Sequence, residues 1–185
     1  MLRARLLQLA WWAGLYRPAD RVLLEDVILP HCGAAGGPVL FVGVRYYTRS
    51  YAACCRPAQL ITLDHDPAMA RHGAAEHVTD GLENLGRHHP APHFRSIIVN
   101  GVLGWGLDDP AAADRALAAC HAALQPDGLL VLGINEERAQ TPALAGLPAL
   151  RRFVPCYFPP LGCSRVMLPT PFAERSHTYL FFRRA

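Results

Sequence analysis

Short apolar runs separated by polar, glycine-containing segments set the pattern of this chain. Runs of this length that end at a glycine or an acidic residue predict buried strands rather than helices. They fall at residues 39–42, 60–63, 77–79, 96–100 and 129–135. Helix-like segments lie between most of them, and this alternation predicts a parallel α/β sheet with helices on both faces.

Helices are predicted between and around these strands. One helix begins at Asp20, as its N-cap, and ends near Leu29, where Pro30 stops it. Other helices are predicted at residues 48–55, 67–71, 82–85, 110–124 and 141–150. The apolar segments 165–169 and 177–182 leave no room for a helix between them, which predicts an antiparallel pair at the sheet edge.

Composition narrows the function classes. The length of 185 residues suits one domain. All 18 basic residues are arginine, which excludes a catalytic or phosphate-binding lysine. The net charge of +3 is small and the arginines are scattered, so no nucleic-acid partner is expected. The six cysteines and nine histidines lack metal-site spacing, which predicts reduced thiols, a cytoplasmic protein and no metal.

Residues 1–17 combine basic and apolar side chains. Gln8 interrupts the apolar stretch, which is too short to span a bilayer, so an amphipathic helix is predicted. Packing on the core is the favoured interpretation of this helix. A cover over a substrate pocket and contact with a membrane surface are the alternatives.

The segment 38–66 carries the clearest functional signal. A buried run ends at Gly43, a helix-like segment follows, and a second apolar run ends on Asp64. This order is typical of a nucleotide-binding βαβ unit, in which the acidic residue after the second strand accepts the ribose hydroxyls. The sequence therefore predicts a nucleoside-containing cofactor.

The order of motifs resembles that of the class I S-adenosylmethionine-dependent methyltransferases. The matching segments are, in chain order, VLFVGVRYY, LITLDHDP, HVTDGLENL, IIVNGVLGWG, LQPDGLLVLG and the terminal HTYLFF. The resemblance implies a Rossmann-like, doubly wound α/β fold with a mostly parallel sheet and an antiparallel C-terminal strand. It divides one domain, 1–185, into N-terminal helices that form a substrate lid (1–33), a cofactor-binding core (38–135), and a lid segment with the terminal strands (136–185).

The resemblance also implies S-adenosylmethionine as the cofactor. It places Asp64 at the ribose, Asp80 near the adenine amino group, and Asn100 and Gly101 near the sulfonium and its methyl group. For Asp80, capping of the next segment is the alternative, and for Asp66 capping is the favoured interpretation. The residues expected at the cofactor are Gly43, Arg45, Tyr46, Tyr47, Thr48, Asp64, His65, Thr79, Asp80, Gly81, Asn100 and Gly101.

The first motif departs from the pattern of the family. Phe41 takes the place of its acidic residue, and of its three glycines only Gly43 is present, with Arg45 and Tyr47 at the other two positions. The missing glycines limit how closely the backbone can approach the methionine part of the cofactor. Arg45 is predicted to pair with the methionine carboxylate instead, and Tyr46 or Tyr47 to cover the sulfonium.

The resemblance implies O- or N-methylation of a small organic acceptor. Aligning the nucleophile supplies much of the rate of such a transfer, and an alcohol or amine also requires a base. The candidate bases are His65, Asp108, Asp109, Glu136, Glu137 and His177, and nothing in their spacing selects among them. His177 begins a predicted edge strand, which favours a structural role, and His65, Asp108 and Glu137 are kept as candidates. Trp105 is predicted to line an apolar acceptor pocket. A homodimer is left open.

Two alternatives remain. The missing glycines suit a catalytically inactive relative that serves as a binding or scaffold subunit. The arginine and tyrosines of the first motif also suit a cofactor-dependent reaction other than methylation, such as a cyclisation or an elimination. An NAD dehydrogenase is disfavoured, because its glycine fingerprint is absent.

Overall fold

The computed structural model describes residues 6–7, 9–10, 15–135, 137–170 and 176–185. An eight-stranded sheet organises these residues, in the order β3-β2-β1-β4-β5-β8-β6 with β7 also pairing with β8. The strands are β1 (Val39–Val42), β2 (Leu60–Asp64), β3 (Glu76–Thr79), β4 (Phe94–Asn100), β5 (Leu124–Ile134), β6 (Phe153–Pro155), β7 (Arg165–Pro169) and β8 (Ser176–Arg184). Strands β1 to β5 are parallel and β8 is antiparallel to β5. The predicted fold class is therefore confirmed.

Several connections between strands differ from the predicted α-helices in their type of helix. The α-helices are α1 (Ala19–Leu23), α2 (Leu29–Ala34), α3 (Tyr51–Cys54) and α4 (Pro110–Ala123). The other helical segments of the connections are short stretches of 3-10 helix, a form suited to short connections. They are Tyr46–Ser50, Pro67–His72, Leu82–Arg87, Leu144–Gly146 and Pro148–Arg152.

Aspartate side chains cap the N-termini of two helical segments, the 3-10 segment Pro67–His72 and the helix α4. The Asp66 carboxylate accepts from the backbone N–H of Ala68 at 2.9 Å, which confirms its predicted capping role. The Asp109 carboxylate caps α4 by accepting from Ala112 N at 2.8 Å. Such caps satisfy backbone donors that have no partner within the helix.

The helix predicted from Asp20 to Leu29, called the N-terminal helix below, differs from its prediction in both its start and its end. Pro18 occupies the N-cap position, and Asp20 lies buried inside the first turn. Pro30 does not stop the helix, because a π-helical segment, Leu24–Ile28, comes directly before α2 and the chain remains helical to Ala34. A proline lacks the N–H of a regular helical bond and its ring crowds the carbonyl four residues earlier. The wider π turn accommodates both effects.

Helices cover both faces of the sheet. One core combines Leu117 of α4 with Ile97 and Val99 of β4. The other combines Leu24 of the N-terminal helix with Ile98 of β4. Because successive side chains of a strand point to opposite faces, β4 contributes to both cores. The strands of this sheet are thus buried on both sides, which explains their continuous apolar runs.

The terminal strands pair as predicted but at a different place. β7 pairs with β8 in antiparallel register, from Pro169 opposite Ser176 to Arg165 opposite Leu180. β8 is not an edge strand, because β5 lies along one side of it while β6 and β7 cover the other. The prediction that His177 begins an edge strand is therefore wrong, and His177 is buried.

The predicted N-terminal amphipathic helix lies largely outside the described residues. Of its described side chains, Leu6 and Leu9 are each 57% exposed. In the part of the chain that the structure describes, no helix has both the length and the apolar character needed to cross a membrane. Packing of this segment on the core stays a prediction.

Candidate functional site

A cleft of about 290 Å³ opens at the carboxyl ends of β1 to β4. This is the edge at which open parallel α/β sheets bind ligands. Several predicted cofactor residues line it, namely Gly43, Arg45, Asp64, His65, Asp80, Gly81 and Gly101. The topology thus brings the ends of four separate predicted strands to one place.

Asp64 forms the floor of this cleft. Its side chain is only 3% exposed. Oδ2 accepts from Val44 N at 2.8 Å and from Arg45 Nη1 at 3.2 Å, and Oδ1 accepts from Asp66 N at 3.0 Å. These donors fix the carboxylate where β2 ends, since a buried carboxylate needs hydrogen-bond partners.

The Arg45 side chain turns toward Asp64. Its Nη1 donates to Val44 O at 2.7 Å as well as to Asp64. The backbone around it is held by Thr48, whose hydroxyl donates to Arg45 O at 2.8 Å. Arg45 therefore lies beside the predicted ribose acid. Its pairing with a methionine carboxylate stays a prediction.

Gly43 is required by close packing at the end of β1. Its φ is +95°, and a Cβ there would lie 2.7 Å from Asn100 O and 2.8 Å from a methyl of Val102. Glycine alone adopts such a conformation without steric cost. Gly101, at φ +62°, has open space on its Cβ side, so a ligand can approach its backbone closely.

Asn100 turns away from the cleft and into the sheet. Its Oδ1 lies 3.0 Å from Nε2 of His177, in space that a side chain at Gly133 would fill. Burial lowers the pKa of His177 to about 4, so its imidazole is neutral at pH 7 and can donate one ring N–H to the amide oxygen. His177 thereby holds Asn100 in place.

Other predicted cofactor residues lie beside the cleft without lining it. The Tyr47 hydroxyl accepts from Arg21 Nη2 at 2.8 Å, and the Arg21 guanidinium carbon lies 4.1 Å from the centre of the Tyr47 ring. Tyr46 is half-exposed against Tyr47, and Thr79 is exposed. The cofactor contacts predicted for these residues and for Thr48 and Asn100 stay predictions.

Arg21 also supports the candidate site, although the sequence pattern does not indicate it. It lies on α1, and its guanidinium also donates to the Tyr51 hydroxyl at 2.9 Å. Tyr47 and Tyr51 belong to the segment that follows β1, so Arg21 joins the N-terminal helix to the first motif. The contact links residues far apart in sequence, and nothing local in the sequence predicts it.

Asp80 is held by its own loop. Oδ1 accepts from Gly81 N at 2.7 Å and from Asn84 Nδ2 at 2.8 Å, while Oδ2 lies 2.7 Å from Nε2 of His88. The bond to His88, followed by those from Asn84 and Gly81, lowers the pKa of Asp80 to about 2.

Trp105 forms one wall of the cleft. Its Nε1 donates to Asn135 Oδ1 at 3.2 Å, and the Arg138 guanidinium carbon lies 3.8 Å from the centre of its ring. Arg138 Nε also donates to Gly104 O. The loop after β4 is thus fastened to the segment after β5, through a cation–π contact that the sequence does not indicate.

The base candidates occupy different positions. His65 lines the cleft, and its side chain is 69% exposed. The Asp108 carboxylate accepts from Gly106 N at 3.1 Å, and Glu137 accepts from the Ser176 hydroxyl. Asp108, Asp109, Glu137 and His177 are described residues that do not line the cleft. Glu136 lies outside the described residues.

No model of a protein family matches the sequence, and no curated protein matches it. Solved structures do match the fold. The N-methyltransferase NodS from Bradyrhizobium japonicum, in complex with S-adenosyl-L-homocysteine, has a TM-score of 0.65 at 17% identity, with 90% of this chain and 92% of that chain covered.

Two further structures agree. The 1,6-didemethyltoxoflavin-N1-methyltransferase of Burkholderia thailandensis, with bound 1,6-didemethyltoxoflavin and S-adenosylhomocysteine, has a TM-score of 0.61 at 18% identity. The match covers 100% of this chain and 87% of that chain. A TehB-like methyltransferase from Corynebacterium glutamicum has a TM-score of 0.61 at 17% identity, and the match covers 98% of this chain and 96% of that chain. The protein therefore has the fold of the class I S-adenosylmethionine-dependent methyltransferases, as its motifs predicted.

Proposed function

We propose that the protein is an S-adenosylmethionine-dependent methyltransferase that modifies a small organic acceptor by O- or N-methylation. The buried Asp64 carboxylate carries the proposal, because it lies at the floor of a ligand-sized cleft that is also lined by Gly43 and Gly101, two glycines with positive φ. A volume of about 290 Å³ is close to the lower end of the usual range for small-molecule sites.

The residues of the cleft fit the adenosine part of this cofactor. Asp64 would accept the ribose hydroxyls, and Gly101 leaves its backbone open to the ligand. Val102 and Leu107 supply apolar walls that exclude water from the base. Arg45 stands at one of the positions of the missing glycines, and would neutralise a carboxylate there. When bound, the cofactor supplies an electrophilic methyl group.

The two predicted lid segments, 1–33 and 136–185, each supply an arginine that contacts the surroundings of the cleft. Arg21 of α1 contacts Tyr47 of the first motif, and Arg138 contacts Trp105 in the cleft wall. Both contacts attach a segment outside the core to the rim of the cleft, where an acceptor would enter. His65 is the candidate base that lines the cleft. A homodimer and a cytoplasmic location stay predictions.

The acceptor class draws support from proteins of the same fold. NodS is an N-methyltransferase, and the Burkholderia enzyme is crystallised with 1,6-didemethyltoxoflavin. The half-exposed Trp105 ring gives this cleft a flat apolar wall suited to a modest organic molecule.

A methyl-transfer assay tests the proposal. The purified protein is incubated with S-adenosylmethionine labelled in its methyl group and with the low-molecular-mass fraction of a cell extract. We expect a labelled small-molecule product with the wild type, and none with Asp64→Asn. A folded protein that binds no cofactor and transfers no label would favour the scaffold alternative. The contact of Arg45 with the ribose acid supports that alternative, because it occupies part of the carboxylate.

A further inference from the structure

We infer that Glu83, rather than Asp80, is the carboxylate that recognises the amino group of the cofactor's adenine. The inference rests on the proposed function, since it concerns the base of the cofactor proposed for this cleft. It replaces the role that the motif resemblance gave to Asp80, and it follows from how the two carboxylates are engaged.

The Asp80 carboxylate is largely occupied. Oδ1 accepts two hydrogen bonds, from Gly81 N and Asn84 Nδ2, which use both of its lone pairs. Oδ2 pairs with His88 at 2.7 Å. A further amino group would have to share Oδ2 with that imidazole. These three bonds tie Asp80 to the 3-10 segment Leu82–Arg87, whereas the Glu83 carboxylate has no such partner within the described residues.

The Glu83 carboxylate lies in the cleft. Glu83 is one of the residues that line it, and its side chain folds back across Gly81. A Cβ on Gly81 would lie 2.6 Å from Oε1 and 2.7 Å from Oε2 of Glu83. The carboxylate thus occupies the space that a side chain at position 81 would fill. Glu83 is an exposed residue, and within the described residues its carboxylate takes part in no hydrogen bond or ion pair, so it is available to a ligand.

The neighbours of Glu83 suit a flat base. Leu82 and Leu107 line the same cleft, and the His65 ring lies on its rim, with Cε1 3.5 Å from where a Cβ on Gly106 would be. An ionised carboxylate accepts hydrogen bonds and donates none. It therefore attracts the amino group at position 6 of adenine and repels the oxo group that hypoxanthine carries there.

A pair of ligands that differ at this edge of the base tests the inference: hypoxanthine has an oxo group at position 6 and an N–H at position 1, where adenine has an amino group and an acceptor nitrogen. S-adenosylhomocysteine and S-inosylhomocysteine are titrated calorimetrically into the wild type, Glu83→Gln and Asp80→Asn. We expect the wild type to prefer the adenosyl ligand by at least about tenfold, the size expected of a charge-assisted hydrogen bond. Glu83→Gln should lose most of this preference, because an amide can donate to an oxo group as well as accept from an amino group.

Two further variants at the same loop sharpen the result. Asp80→Asn should keep the preference, even if it lowers the melting temperature. Gly81→Ala leaves every charge unchanged. The backbone of Gly81, at φ −68°, is one that alanine also adopts, but the added methyl group would displace the Glu83 carboxylate. We expect it to reduce the preference as Glu83→Gln does.

The possible failures are distinguishable. Equal binding of both ligands by the wild type, an unchanged preference in Glu83→Gln, or a preference lost in Asp80→Asn would each overturn the role of Glu83 and leave the proposed cofactor in place. Binding of neither ligand by the folded wild type would instead contradict the proposed function itself.

Discussion

At the scale of single residues, glycines decide how closely the elements of the site approach one another. Gly43 lets the end of β1 reach the carbonyl of Asn100, and Gly133 leaves space for the contact between Asn100 and His177. Buried strands disfavour glycine, because it packs no side chain and loses more backbone freedom on folding. These positions are therefore explained by the close contacts made at the carboxyl end of the sheet.

Gly43→Ala tests this close approach. Its φ of +95° disfavours any other residue, and the added methyl would meet Asn100 O at 2.7 Å. We expect the free energy of unfolding to fall by roughly 1–3 kcal/mol, measured by urea denaturation. Gly86→Ala is the matched control, since no atom lies within 4 Å of its Cβ position. A Gly43 variant as stable as this control would contradict the explanation.

The buried imidazole of His177 predicts a dependence of stability on pH. Burial lowers its pKa in the folded protein to about 4, below the usual value of about 6.5. The unfolded chain then binds more protons between these values, so the stabilisation is complete above pH ~6.5 and is lost as pH falls toward 4.

The variant His177→Gln isolates this effect, because it removes the titrating group and keeps a donor for Asn100. Between pH ~6.5 and ~4 the wild type should lose roughly 2–3 kcal/mol more than the variant. Denaturation at several pH values gives the difference. Parallel curves for the two proteins would show that His177 is not held neutral by burial.

At the scale of elements, strands are easier to predict than their connections. The apolar runs of β1, β2 and β4 are continuous, because a parallel sheet is buried on both faces. Most of the connections contain 3-10 turns where α-helices were predicted, although α4 joins β4 to β5 as predicted. β5 also begins at Leu124, before the predicted start, with an irregular stretch around Asp127 at φ +56°.

The N-terminal helix shows where a local rule fails. Pro30 should end a regular helix, but the π segment before it lets the helix continue. The sequence also does not predict the role of this helix in the site, because Arg21 contacts Tyr47 and Tyr51 only in the folded chain. Sequence located the ends of the strands, and tertiary contacts supplied the side chains that hold the site together.

Arg21→Met measures how firmly this helix is attached. The substitution removes the donors to both tyrosine hydroxyls from a buried environment, and we expect a loss of about 2–4 kcal/mol in the free energy of unfolding. Arg17→Met, in the segment just before α1, is the control. The Arg17 side chain is 46% exposed in its ion pairs with Glu25 and Asp26, and such pairs contribute about 0–1 kcal/mol. Equal losses in the two variants would contradict the attachment.

At the scale of the whole molecule, the fold persists where sequence similarity is low. The chain shares 17% identity with NodS, yet the two structures match over 90% of this chain. A fold depends on the pattern of buried and exposed positions more than on particular residues. Cofactor chemistry depends on a few strand ends, and there the first motif carries Arg45 and Tyr47 in place of glycines.

The central claim is that the cleft above Asp64 binds S-adenosylmethionine. The most direct measurement is calorimetric titration of the wild type, Asp64→Asn and Asp66→Asn with S-adenosylmethionine and S-adenosylhomocysteine, with folding checked by circular dichroism. We predict that the wild type binds both ligands and that Asp64→Asn weakens binding by at least about tenfold. The Asp66 side chain caps the segment Pro67–His72, so we predict that Asp66→Asn binds as the wild type does. A folded wild type that binds neither ligand would contradict the claim.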